Sequence, residues 1–246
     1  MSTKVRALSR LLLLLAALVA PLRAGDAHAT TIDFETILWP SDGMPIDGQY
    51  LDGHYTSFAL DTDGDGVADP GAYPLLERVG PDDGWAFVND VDSSSEKAWP
   101  GYEEQLGAWT LALPTHGPGV ALLVAYDVAM RLVAGDIWDI DGNAEQGTEQ
   151  WRLDALAADG SVLESILSPL GERLDADGLN AKPWHYAFDR EGADIWALRI
   201  DFVGSKTWGL GVAFDGFSSD VPEPGTLSLL ALGAALLGTA RRHRVA

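Results

Sequence analysis

The 246-residue chain has no cysteine, which excludes disulfides, thiolate metal sites and cysteine nucleophiles. A domain working outside the cytoplasm must then hold together by core packing, with bound calcium as a further brace. Basic residues are scarce as well: 16 Lys and Arg face 37 Asp and Glu, for a formal charge of −21. Seven of the 16 lie in the termini, at Lys4, Arg6, Arg10, Arg23, Arg241, Arg242 and Arg244. Only two acids, Asp26 and Glu223, lie outside Thr30 to Val221, so that stretch sets 9 basic against 35 acidic residues, a net of −26. Such a surface repels polyphosphates and removes nucleic acid from the expected partners; divalent cations, cationic groups or solubility alone remain as its purpose. Histidine is sparse. His54, His116 and His185 show no HExxH spacing and no adjacent nucleophile motif, so metalloprotease and triad readings lack support.

Long apolar runs are also few, and both lie at the ends. Lys4, Arg6 and Arg10 precede the run Leu11 to Val19, and Ala27-His28-Ala29 supplies small residues where a leader peptidase needs them, so a secretory leader cleaved after Ala29 is expected. At the other end Val221-Pro222-Glu223-Pro224-Gly225 is followed by an apolar run and by Arg241-Arg242-His243-Arg244. A helix over 226–240 spans about 22 Å against a hydrocarbon core of about 30 Å. It can anchor if the bilayer thins and the arginines snorkel. The basic cluster belongs in the cytoplasm, which puts the acidic domain on the outer face of the inner membrane. Pro222 and Pro224 lack backbone donors and disfavour helix, leaving an extended, accessible segment beside the bilayer.

Pro-Glu-Pro, a short membrane helix and an arginine-rich end, in that order and opposite an N-terminal leader, resemble the PEP-CTERM sorting signal. The resemblance implies recognition by an exosortase-type membrane protease that cuts near Val221, Pro222, Glu223 and Pro224. It also implies delivery to the cell surface or extracellular matrix, in a setting of exopolysaccharide and biofilm. It covers the last 26 residues or so and describes handling, not the work of the domain.

Between the ends, period-two alternation prevails. Trp151, Leu153 and Ala155 alternate with Gln150, Arg152 and Asp154, and Trp196, Leu198, Ile200 and Phe202 with Ala197, Arg199 and Asp201, the pattern of half-buried antiparallel strands. Further strands are expected over 31–37, 75–79, 85–88, 108–113, 120–128, 161–167, 184–188 and 212–217, with a hairpin at Asp159-Gly160. Many short strands with Gly, Pro and Asp turns predict an all-β, jelly-roll-like β-sandwich. Ile32-Asp33-Phe34-Glu35 and Gly211 to Phe217 resemble the first and last strands of galactose-binding-like jelly rolls.

The sharpest local motif is Asp61-Thr62-Asp63-Gly64-Asp65-Gly66-Val67-Ala68-Asp69. Carboxylates at alternate positions with glycine at the turn can wrap a hard cation, with Asp61, Asp63, Asp65 and Asp69 giving side-chain oxygens and Val67 its carbonyl. The string resembles the calcium loops of thrombospondin type 3 and dockerin repeats, but Ala72 stands where an EF-hand has its bidentate glutamate. A structural calcium ion is expected here, the alternative being a solvated acidic turn. A second cluster, Asp136, Asp139, Asp141, Asn143 and Glu145, reads better as an exposed turn than as a cation loop. Nine tryptophans exceed what a core requires. Trp151 and Trp196 are placed inside by alternation, while Trp99 and Trp208, flanked by glycine, proline or polar residues, are the candidate sugar platforms. Acid pairs for glycoside hydrolysis, such as Glu103 with Glu104 or Asp139 with Asp141, can be drawn at will among so many carboxylates and are uninformative.

The expected layout is a signal peptide over 1–29, a β-sandwich over 30–217, a stalk over 218–225, a transmembrane helix over 226–240 and a basic tail over 241–246. The expected role is that of a non-catalytic surface or matrix component. An exopolysaccharide-binding module is the alternative, and an extracellular hydrolase the third reading.

Overall fold

The computed structural model describes residues 29–79, 98–102, 104–114, 119–174, 177–207 and 210–220. The expected leader, the strand at 85–88, Trp208, the sorting motif and the membrane segment lie outside the described residues. Among the described residues no helix is long and apolar enough to cross a membrane.

The architecture is all-β, with its sheets in a sandwich-like arrangement. In chain order the strands are β1 (Ala29–Ile32), β2 (Met44–Pro45), β3 (Thr56–Asp61), β4 (Leu75–Arg78), β5 (Trp109–Ala112), β6 (Ala121–Met130) and β7 (Leu132–Ile140). They continue with β8 (Gly142–Asn143), β9 (Gly147–Thr148), β10 (Trp151–Leu156), β11 (Val162–Leu167), β12 (Leu179–Asp189), β13 (Ile195–Phe202) and β14 (Ala213–Asp220). The larger sheet has the order β12-β7-β14-β5-β4-β2, with β1 also on β14; the smaller is β11-β10-β13-β6-β3; β8 and β9 form a separate ribbon. From β5 onward the chain changes sheet at nearly every step: β5, β7, β12 and β14 lie in the larger sheet and β6, β10, β11 and β13 in the smaller.

The core fills the space between the sheets. Val133, Ile137, Leu111 and Phe214 of the larger sheet join Phe58, Leu122, Val124, Leu153, Leu198 and Ile200 of the smaller in one buried cluster. Trp151, 1% exposed, sits edge-on to Phe202 of its own sheet at 5.4 Å and to Phe214 across the core at 5.5 Å. Such pairs add about 0.5–1.5 kcal/mol beyond their buried area. On the opposite side of the smaller sheet the alternating polar residues form a charge ladder. Arg152 bonds Asp201 at 2.7 Å and Asp154 at 3.1 Å, and Arg199 bonds the other Asp201 oxygen at 2.9 Å.

The β10–β11 hairpin closes at Asp159-Gly160 as its sequence indicates: Gly160 has φ +79°, and Asp159 Oδ1 accepts the Ser161 amide at 3.0 Å. The opening and closing strands are neighbours, with Ile32 opposite Phe217. β14 runs on through Ser218, Ser219 and Asp220, three residues past the domain edge placed at 217.

Trp196 departs from its expected core position. A register irregularity between Ile195 and Ala197 interrupts the pairing of β13 with β6. Ile195 therefore turns inward, fully buried, and Trp196 is left 38% exposed, while Leu198 and Ile200 keep the inward face.

Candidate functional site

The acidic loop grows directly out of β3. Asp61 is the last residue of that strand, opposite Ala121 of β6, and is fully buried. Its carboxylate organises the loop: Oδ1 accepts the Gly64 amide at 2.7 Å, Oδ2 accepts the Gly66 amide at 2.8 Å, and Arg199 approaches Oδ2 at 3.4 Å. Gly64 and Gly66 take positive φ, +81° and +88°, which glycine adopts without strain. Asp63 accepts the Asp65 amide and Asp65 accepts the Val67 amide, at 3.1 and 2.8 Å. The loop closes where the Asp69 amide donates to the Leu60 carbonyl at 2.8 Å.

Asp61, Asp63 and Asp65 come together, each offering an oxygen within 4.8 Å of the others. Asp69 points to a different duty. Its Oδ2 accepts both the hydroxyl and the amide of Thr62, and these bonds hold its carboxyl below the usual range. The Val67 side chain is exposed.

A second group of acids gathers where β14 meets β7 and the segment after β1. Asp215 lies opposite Asp136; burial, with Asp136, Asp33 and Glu35 nearby, pushes its carboxyl up to about 8. Gly216 has φ +62°, and a Cβ there would stand 2.9 Å from Asp136 Oδ2, so any side chain at this position would have to displace that carboxylate. Glu35 is tied to β5 instead, accepting the amides of Ala108 and Trp109 at 2.5 and 3.0 Å. His185 Nδ1 lies 3.0 Å from Asp136 Oδ1.

The expected exposed turn at the end of β7 is in part interior. Asp139 and Asp141 are 2% and 0% exposed. Asp139 Oδ1 accepts the Ala181 amide at 2.7 Å. Asp141 joins a buried trio that the sequence reading missed: Lys206 Nζ donates to Asp141 Oδ1 at 2.5 Å and to Glu149 Oε1 at 2.9 Å. Burial raises Glu149 to about 8 despite the lysine. For Lys206 burial works against the charge, but Glu149 and Asp141 outweigh it and the net direction is upward. No local signal marks the trio, because Lys206 lies 57 and 65 residues along the chain from Glu149 and Asp141.

The tryptophans divide differently from expectation. Trp99 is half-buried against the cluster of Ala98, Leu106, Trp138, Ala181 and Ala213, and Lys182 Nζ covers its ring at 5.2 Å. Trp39, absent from the expected platforms, is 90% exposed with Leu38 beside it at 85%. They adjoin an open groove of about 480 Å³ lined by Thr36, Leu38, Gln49, Tyr50, Asp52 and His54 among others.

At its far end the domain is pinned by Asp220. Its Oδ1 accepts the amides of Arg131 and Leu132 at 3.0 and 2.8 Å, and its Oδ2 accepts Arg131 Nε at 3.1 Å.

Residues 220–245 match the PEP-CTERM protein-sorting motif; the chain carries this signal, which marks an exported protein. No curated protein sequence matches the chain. Among solved structures the chain is similar to the K2 cleaved adhesin domain of Lys-gingipain, at 14% identity, with 79% of this chain and 99% of that chain covered and a TM-score of 0.43. A DUF4465 family protein from Bacteroides caccae is similar at 12% identity, 78% and 98% coverage and TM-score 0.44. The C-terminal family 22 carbohydrate binding module of Clostridium thermocellum Xyn10B is similar at 10% identity, 75% and 98% coverage and TM-score 0.33.

Proposed function

We propose that the chain is an exosortase-sorted cell-surface or extracellular-matrix protein, held at the inner membrane by its C-terminal segment until processed, whose non-catalytic domain is a jelly roll braced by calcium. The observation that carries the sorting is the PEP-CTERM motif, which begins at the residue where β14 ends. A folded domain pinned by Asp220 and followed at once in the sequence by Val221-Pro222-Glu223-Pro224 places the sorting motif directly at the edge of a fixed body. In a host with the protease, alanine at Pro222, Glu223 and Pro224 together is expected to leave the chain in the membrane fraction while the parent chain leaves it. Equal distribution of both would remove the sorting role.

The jelly-roll reading rests on strand order. β12-β7-β14-β5 against β11-β10-β13-β6, with the chain crossing between sheets, supports the double Greek key of that fold. The non-catalytic reading draws support from two acids that are already engaged. Glu149 is engaged by Lys206 and Glu35 by two amides, so neither is aimed across a cleft.

For calcium, Asp61, Asp63 and Asp65 are the residues that would hold the ion, with the Val67 carbonyl as a further ligand; Asp69, engaged by Thr62, would take part through water. Three gathered carboxylates repel each other when no cation is bound, and a bound ion removes that repulsion. Melting curves are expected to shift upward in calcium relative to chelator, and the shift to vanish in the Asp63→Ala, Asp65→Ala double variant. Identical melting in both buffers would reduce the loop to an acidic turn.

Binding of exopolysaccharide is the second reading, favoured by Trp39 beside the groove of Gln49, Asp52 and His54. An exposed indole can stack on a pyranose while amide and carboxylate bind its hydroxyls. Retention on polysaccharide that is lost in Trp39→Ala supports this reading; retention unchanged by that variant counts against it.

A further inference from the structure

Lys206, Asp141 and Glu149 are 2%, 0% and 0% exposed, and a buried charge trio of this kind is a costly way to stabilise a core. The surrounding backbone holds it with little freedom. The Ser205 and Lys206 amides both donate to the Thr148 carbonyl, at 2.8 and 3.0 Å. The Glu149 amide donates to the Asp141 carbonyl at 3.0 Å, and the Gly171 amide to the Glu149 carbonyl at 2.8 Å. Glycines permit this approach: a Cβ at Gly142 would lie 2.4 Å from the Gly147 carbonyl oxygen, one at Gly171 2.6 Å from the Asp141 amide, and one at Gly204 2.3 Å from the Thr148 carbonyl oxygen. An amine and a carboxyl are thus locked in contact, shielded from water, with a second carboxyl touching the amine.

We propose that Lys206 Nζ and Asp141 Cγ become joined in the folded domain by an intramolecular isopeptide bond, with Glu149 as the proton-carrying residue. The reaction is a condensation without oxidant or external reagent. In the ionised form of Glu149 the ammonium of Lys206 gives one proton to it, and the neutral amine attacks Asp141 Cγ to form the N–C bond. One C–O bond of the Asp141 carboxyl then breaks. That oxygen leaves as water with two of the three original ammonium protons, one of them returned by Glu149, and the third stays on the amide nitrogen. Ammonium plus carboxylate become amide plus water, charge is conserved, and Glu149 is regenerated. Fixed contact replaces an encounter step, and burial favours the uncharged product over the ion pair.

The bond has a structural purpose in a chain with no cysteine. Asp141 directly follows β7 of the larger sheet and Lys206 follows β13 of the smaller, so the amide would tie the two layers together as a disulfide does elsewhere.

Proteolysis of the full-length chain and tandem mass spectrometry test the proposal. The expected result is a branched peptide containing Asp141 and Lys206, lighter by one water than its two linear parts, with trypsin unable to cut after Lys206. Lys206→Met is expected to lose the branched species. Glu149→Gln, with its fold checked by circular dichroism, is expected to form it at least about a hundredfold more slowly, the usual scale of lost proton transfer. Recovery of only linear, trypsin-cleavable peptides from folded wild-type chain overturns the bond, whether or not any variant folds. A folded Glu149→Gln chain that cross-links at the wild-type rate overturns the role of Glu149.

Discussion

Asp215 illustrates how single residues in this domain trade charge for position. Its carboxyl is held at about 8, against about 4 in an unfolded chain, so between these values the folded state binds a proton that the unfolded state releases. Stability contributed by that proton is complete below about pH 4 and is lost as pH rises through about 8. In chelator, the melting temperature of the wild-type domain is therefore expected to fall from pH 5 to pH 8. Asp215→Asn, which is neutral throughout, is expected to show a smaller fall; an equal slope in both proteins would mean that Asp215 ionises normally. The DG step at Asp215-Gly216 was visible in the sequence, but the burial behind the shift was not. It depends on Asp33, Glu35 and Asp136, which arrive from different strands and segments.

Elements were legible where one face meets solvent. β10 and β13 were readable because polar and apolar residues alternate in both, and the hairpin at Asp159-Gly160 carried its own turn chemistry. β7 was not foreseen: Leu132 to Ile140 is buried at seven of its nine positions, and a strand covered on both faces has no period to read. The bulge in β13 was equally silent, since inserted residues leave composition unchanged while reversing a side chain's direction. This gives a sharp contrast within one strand. Leu198→Ala, at a fully buried position, is expected to cost about 2–5 kcal/mol by chemical denaturation. Trp196→Ser is expected to cost about 1 kcal/mol or less, because much of the indole already faces solvent. A larger loss for Trp196→Ser than for Leu198→Ala would place Trp196 in the core after all.

At the scale of the whole molecule, the two ends and the acidic middle describe one itinerary. The negative domain suits the outer side of the membrane, the arginines suit the inner side, and the sorting motif joins the two at a point where β14 is fastened by Asp220 to Arg131 and Leu132. The sorting signal was the most legible feature at this scale, since it is written in contiguous residues. The buried trio and the groove beside Trp39 were the least, because each depends on segments that only folding brings together. The measurement that bears most directly on the account is mass spectrometry of the C-terminus of the chain recovered from outside the cells of a host that has the protease. A mature end at or near Val221 to Gly225, with Arg241, Arg242 and Arg244 gone, is the predicted result. A chain recovered there with its arginine tail intact would contradict it.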